Sequence, residues 1–152
     1  MSVIRLTKEF TFEMAHFLPG YDGLCSNVHG HSYILRVTVA GTPCADPASP
    51  KYGMVIDFSV LKKIVGEEVV SRLDHSLMVR RGSVSPAAVA GITQRLVEVD
   101  YQPTCENMLS DFAARIAPRL PEGVGLVALR LHETATSYAE WLAIDNNLAV
   151  NS

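Results

Sequence analysis

His16, His29 and His31, with Cys25 between the first two, are the residues whose types and spacing could do chemistry. Side chains two apart on a strand project from the same face, so His29 and His31 point together across Gly30. Three imidazoles on a divalent cation leave a position open for water or substrate, which separates a catalytic site from a closed structural one. An all-imidazole set suits zinc first, with iron, nickel and copper as other occupants. A lone histidine on an apolar face reads as a satisfied core residue, but three together present more ring nitrogens than a hydrophobic core can partner. Cys25, four residues before His29, reads as a fourth ligand or as a base, because a thiol beside a cation ionises more easily. Cys44 and Cys105 have no such neighbours and read as small buried apolar residues.

Other positions carry charge where charge is costly or useful. In Asp74-His75 a carboxylate adjoins an imidazole, an arrangement that orients and charges a proton carrier; the plainer reading is a helix-end cation beside a capping aspartate. Glu133 shares strand parity with Val127, Leu129 and Leu131 and is therefore expected to be buried. A buried carboxylate needs a strong donor, either a ligand amidine bound by two parallel hydrogen bonds or an arginine such as Arg130 or Arg36. His132 on the opposite face reads as solvated, Asp57 as a helix cap, and Arg80-Arg81 as part of a solvated loop.

The elements that must position these groups follow from periodicity. From Ile4 to His16 the even positions Ile4, Leu6, Phe10, Phe12 and Met14 are apolar against polar odd ones, a half-buried strand ending at His16. After the Pro19-Gly20-Tyr21-Asp22-Gly23 loop, His29, His31, Tyr33, Leu35, Val37 and Val39 share the inward face of a second strand. Asp57 or Ser59 caps a helix with Phe58, Leu61, Val65 and Val69 at helical spacing, ending near Leu73. Met78 to Asp100 shows neither period and is expected to be an insert. Thr104 caps a second helix carrying Met108, Phe112 and Ile116, which Pro121-Glu122-Gly123 closes. Two strands follow, Val124 to Glu133 and Ser137 to Ile144. The ββααββ order predicts the α+β class: a four-stranded antiparallel sheet with two helices on one face.

A chain of 152 residues with 48% hydrophobic content is enough for one core, so residues 1–152 are expected to form a single domain. A net charge of −3 offers no basic stripe, which argues against nucleic acid as a partner. No apolar run approaches the roughly 20 residues of a membrane span, and Met1 to Arg5 lacks a signal-peptide layout, so a cytoplasmic protein is expected. Three scattered cysteines form no disulfide framework, which fits a reducing compartment.

Taken in order, Phe12-Glu13-Met14-Ala15-His16, Cys25-Ser26-Asn27-Val28-His29-Gly30-His31, Gly53 to Phe58, Leu73-Asp74-His75, Pro103-Thr104-Cys105-Glu106-Asn107 and Glu133-Thr134 resemble the 6-pyruvoyltetrahydropterin synthase / 6-carboxytetrahydropterin synthase family. The resemblance implies a tunnelling fold (T-fold), in which three subunits join their sheets into a barrel, two trimers stack into a homohexamer, and active sites lie between subunits. It further implies that His16, His29 and His31 hold Zn2+ and that Cys25 is the base on the side-chain carbons of 7,8-dihydroneopterin triphosphate. His75, oriented by Asp74 and reaching in from a neighbouring chain, would relay the proton, while Glu133 with Thr104 would grip the pterin ring. The three-residue gap between Cys25 and His29 resembles the bacterial enzymes of queuosine biosynthesis, lyases that release acetaldehyde and triphosphate and leave 6-carboxy-5,6,7,8-tetrahydropterin. Competing readings are a 6-pyruvoyltetrahydropterin synthase that eliminates only triphosphate, a non-catalytic zinc- or pterin-binding module, and a zinc-hydroxide hydrolase.

Overall fold

The computed structural model describes residues 1–146. Its frame is a pair of long strands, β1 (Ile4–His16) and β2 (His29–Gly41), antiparallel along their whole length, with His16 opposite His29 and Met14 opposite His31. Their alternation works as the sequence pattern predicts: Phe10, Phe12 and Met14 of β1 and Tyr33, Leu35, Val37 and Val39 of β2 are buried in one cluster. Phe12 lies stacked on Tyr33 at 5.0 Å between ring centroids, and Phe112 meets it edge-on at 6.4 Å. This aromatic layer is the floor on which the histidines stand.

Strand β5 (Gly125–Thr134) pairs with β2, and β6 (Ser137–Leu142) pairs with β5, both antiparallel. The β2–β5 register slips between Thr38 and Val39, where Ala128 and Leu126 are the successive partners and Val127 is the extra residue. Parity reverses at that bulge. Leu126, Leu129 and Leu131 enter the core, and Val127, expected inward, instead lines a cavity on the other face with Thr38 and Ala128.

The sheet has six strands, not the four expected, in the order β4-β3-β1-β2-β5-β6. The extra two are β3 (Ser76–Arg80), parallel to the end of β1, and β4 (Leu96–Val99), parallel to β3. Both come largely from the stretch expected to be an insert. Leu77, Met78 and Val79 are all buried, and a strand covered on both faces shows a continuous apolar run rather than alternation. At five and four residues, neither strand is long enough to announce a period.

Helix α1 (Phe58–Val65) begins at Asp57, whose carboxylate accepts from the Ser59 N–H, and runs through a π-helical turn at Gly66–Val70 into α2 (Ser71–Leu73). A short α3 (Pro86–Val89) lies between β3 and β4. Helix α4 (Cys105–Ile116) begins at Thr104, whose hydroxyl accepts from the Asn107 N–H, and its Met108, Phe112 and Ile116 join Leu61, Val65, Val69 and Leu73 in the same core. Both main helices therefore cover one face of the sheet, and the α+β class stands. Among the described residues no helix is long and apolar enough to cross a membrane.

Candidate metal and substrate site

Strand pairing alone brings the imidazoles together. The rings of His16 and His29 are 4.6 Å apart, those of His29 and His31 4.9 Å, and those of His16 and His31 5.2 Å. Glu133, near the end of β5, completes a group in which one ligand atom from each of the four residues lies within 4.8 Å of the others. His16 is buried, and its Nδ1 stands 2.7 Å from the Pro103 carbonyl; His29 Nδ1 stands 2.7 Å from the Asn27 carbonyl. A carbonyl only accepts, so each Nδ1 donates to it and each ring turns its Nε2 into the site. His29 Nε2 and His31 Nε2 are buried without a hydrogen-bond partner. Convergent imidazole nitrogens, with His29 and His31 orphaned and His16 and His29 backed by carbonyls, are the donor set a divalent transition metal takes. The four residues could hold such an ion.

Glu133 is half-buried rather than buried, with one oxygen turned to each side. Its Oε1 lies 2.7 Å from His31 Nε2, close but out of hydrogen-bond alignment, and 3.5 Å from His16 Nε2. Its Oε2 accepts from the Cys105 thiol at 3.2 Å. Neither arginine suggested by the sequence reaches it: Arg36 pairs with Glu9 and Arg130 with Glu140, each at 2.8 Å. Contact with His16 is the main cause that brings the Glu133 carboxyl down to about 2, against the opposing effect of burial, with help from Cys105 and His31. His31 is lowered too, because burial outweighs the pull of Glu133, and His16 and His29 add to the effect. The two shifts favour an ionised Glu133 facing a neutral His31, an arrangement made favourable by a cation between them. Tyr33, whose hydroxyl lies 3.4 Å from His16 Nε2, has its phenol pushed far up, by burial first and by Glu133 and Cys105 after it.

The other sequence-predicted residues fall into two places. Thr104 and Cys105 open α4 directly beyond Pro103, so the helix start, His16 and Glu133 are tied together. Cys25 sits in a one-turn 3-10 helix, Leu24–Ser26, whose loop is closed by the Leu18 N–H on the Cys25 carbonyl and by Gln102 Nε2 on the Pro19 carbonyl. Asp74 and His75 lie instead at the start of β3. His75 Nδ1 is 3.1 Å from Asp74 Oδ2, and the pair grips the backbone of Glu13: Asp74 Oδ1 accepts from its N–H and the His75 N–H donates to its carbonyl. His75 is 74% exposed and, with His31, borders an open concavity of about 380 Å3. Among the described residues no hydrogen bond or ion pair joins Cys25 to His75. Cys105 is the neighbour that sequence reasoning set aside, since its place at Glu133 depends on pairing between distant segments.

Sheet, helices and imidazole cluster together define the class as a T-fold protein of the pterin-synthase type. The chain superposes on Caenorhabditis elegans 6-pyruvoyl tetrahydropterin synthase with a TM-score of 0.68, covering 93% of this chain and 96% of that one at 22% identity. It matches an uncharacterised Wolinella succinogenes protein with a TM-score of 0.69, over 93% and 99% of the two chains at 20% identity. Residues 5–143 match the 6-pyruvoyl tetrahydropterin synthase family, and the chain belongs to it. Relatives named 6-carboxy-5,6,7,8-tetrahydropterin synthase include one from Haemophilus influenzae, 35% identical over 91% of this chain and 99% of its own length. Another, from Synechocystis, is 37% identical over 74% of this chain and 96% of its own.

Proposed function

We propose that this chain is a zinc-dependent carbon-carbon lyase that converts 7,8-dihydroneopterin triphosphate and water to 6-carboxy-5,6,7,8-tetrahydropterin, acetaldehyde and triphosphate. The observation that carries the reading is the convergence on Glu133 of three imidazoles, those of His16 and His29 backed by carbonyls, in a chain whose relatives bear that name. His16, His29 and His31 would hold the zinc, which when bound supplies Lewis acidity that makes side-chain hydroxyls of the substrate easier to ionise.

The protein's own groups then move protons and fix the ring. Cys25 takes a proton from the substrate side chain as its thiolate. Asp74 holds His75 so that the imidazole can accept and return a proton, and the pair does this for Cys25 of a neighbouring copy within a hexamer built from two trimers. Support for that division is that, among the described residues, no hydrogen bond or ion pair joins Cys25 to the exposed His75 of the same chain. Glu133 accepts the N–H groups of the pterin edge, and Thr104, on the rigid first turn of α4, assists it.

Zinc-loaded protein incubated with 7,8-dihydroneopterin triphosphate and analysed by mass spectrometry is the test. A carboxypterin with acetaldehyde is expected, with turnover reduced at least about 100-fold in Cys25→Ala while bound zinc is unchanged. A pyruvoyl product retaining all side-chain carbons would assign the triphosphate-eliminating reaction instead. Full turnover in Cys25→Ala would overturn the role of the thiol and favour a hydrolase, and no turnover in either protein would favour a binding module.

A further inference from the structure

We propose that Cys105 is a positioning residue: its thiol donates to Glu133 Oε2 and thereby commits Glu133 Oε1 to the imidazole-lined side of the site. A carboxylate turns easily about its last torsion, so two chemically equal oxygens are distinguished only by what each one meets. Here Oε1 meets His31 at 2.7 Å and Oε2 meets Cys105 at 3.2 Å. The thiol stands on a fixed support. It is the first residue of α4, immediately after the cap Thr104, and the preceding Pro103 carbonyl receives His16 Nδ1.

Cys105 is 6% exposed, and a small apolar residue packed only for volume has no reason to turn its sulfur onto a carboxylate. A carboxylate oxygen only accepts, so in this contact the thiol is the donor. A thiol that donates there is in neither of the roles, base and metal ligand, that need the thiolate. What remains is a short, weak donor aimed at the oxygen that faces away from the imidazoles. Its value to the proposed reaction is that the pterin-gripping carboxylate is already oriented when substrate arrives, so the ordering cost is met in folding.

Infrared spectroscopy of the S–H stretch tests the contact without reference to activity. The Cys105 band, isolated as the difference between the protein and Cys105→Ser, is expected to move to higher frequency and sharpen in Glu133→Leu, which keeps bulk and removes the acceptor. Kinetics test its use, a reading that rests on the proposed function. Cys105→Ala is expected to raise KM for the pterin triphosphate about fivefold, the effect of losing one modest hydrogen bond, with kcat little changed. Cys105→Ser, which restores a donor, is expected within about twofold of the parent. A Cys105 band indifferent to Glu133→Leu would overturn the proposal, as would a serine variant impaired as much as the alanine one, since that pattern marks packing alone. If the parent protein shows no turnover, the functional reading fails, while the infrared result still decides whether Cys105 holds Glu133.

Discussion

Replacing His75 by glycine and by alanine separates the cost of its backbone from the use of its side chain. His75 has φ of 59°, the one non-glycine among the described residues in the left-handed region. It is held there because its N–H donates to the Glu13 carbonyl while Asp74 accepts the Glu13 N–H, which turns the chain from α2 into β3. For a residue with a Cβ that conformation costs about 1–2 kcal/mol. Glycine escapes the cost but loses more freedom on folding, about 0.5–1 kcal/mol relative to alanine. Both variants remove the same imidazole and its exposed contact with Asp74, so that loss cancels in the comparison. The balance makes His75→Gly more stable than His75→Ala by about 0.5–1 kcal/mol, the reverse of the ordinary order in regular structure. In a chain of this length that is a difference in Tm of about 2 °C. Urea unfolding of both variants at one protein concentration reads it directly, the concentration being fixed because assembly would contribute. Equal stability, or a more stable alanine variant, would refute the argument that the turn stores strain. Under the proposed function both variants lose turnover, so stability and activity part company at this position.

His29→Ala removes an imidazole whose Nε2 has no other partner, and competition with a chelator is expected to show zinc binding weakened more than about 100-fold, beyond the usual effect of a residue that only orients a ligand; a change under threefold would remove His29 from the metal site. Acid stability follows from Asp57, whose carboxyl is held well below its ordinary range by Lys51 first and then by Ser59, and from Asp74, lowered chiefly by the Glu13 N–H. A carboxyl depressed in the folded state contributes stability above its unfolded pKa and loses it as pH falls through the folded value. Thermal stability should therefore decline below about pH 4, the ordinary carboxylate range. Asp57→Asn, which keeps a capping oxygen without the charge, should flatten the decline. An unaltered slope would show that these contacts are screened by solvent.

Much of the site is legible in local pattern. Alternation along two strands is enough to put His16, His29 and His31 on the buried face, because side-chain direction in a strand depends only on parity. The caps at Asp57 and Thr104 are equally local, each closed within three residues. Parity misleads at Val127, where a bulge inserts one residue and reverses the faces, and such a slip leaves no mark in composition. It also fails over Met78 to Asp100, where β3 is buried on both sides and β4 is only four residues long, so neither shows the alternation that would reveal it.

The sequence by itself determined the donors and their strand faces, since residue type and a two-residue period are one-dimensional properties. Tertiary structure alone decided which partners those donors meet. Glu133 could have paired with Arg36 or Arg130 on charge alone. Instead Glu9 and Glu140, each directly across the sheet from its arginine, take both cations, and Glu133 is left to the imidazoles and to Cys105. Pairing of that kind depends on register between strands and on where separate segments meet, and register is a property of the folded sheet.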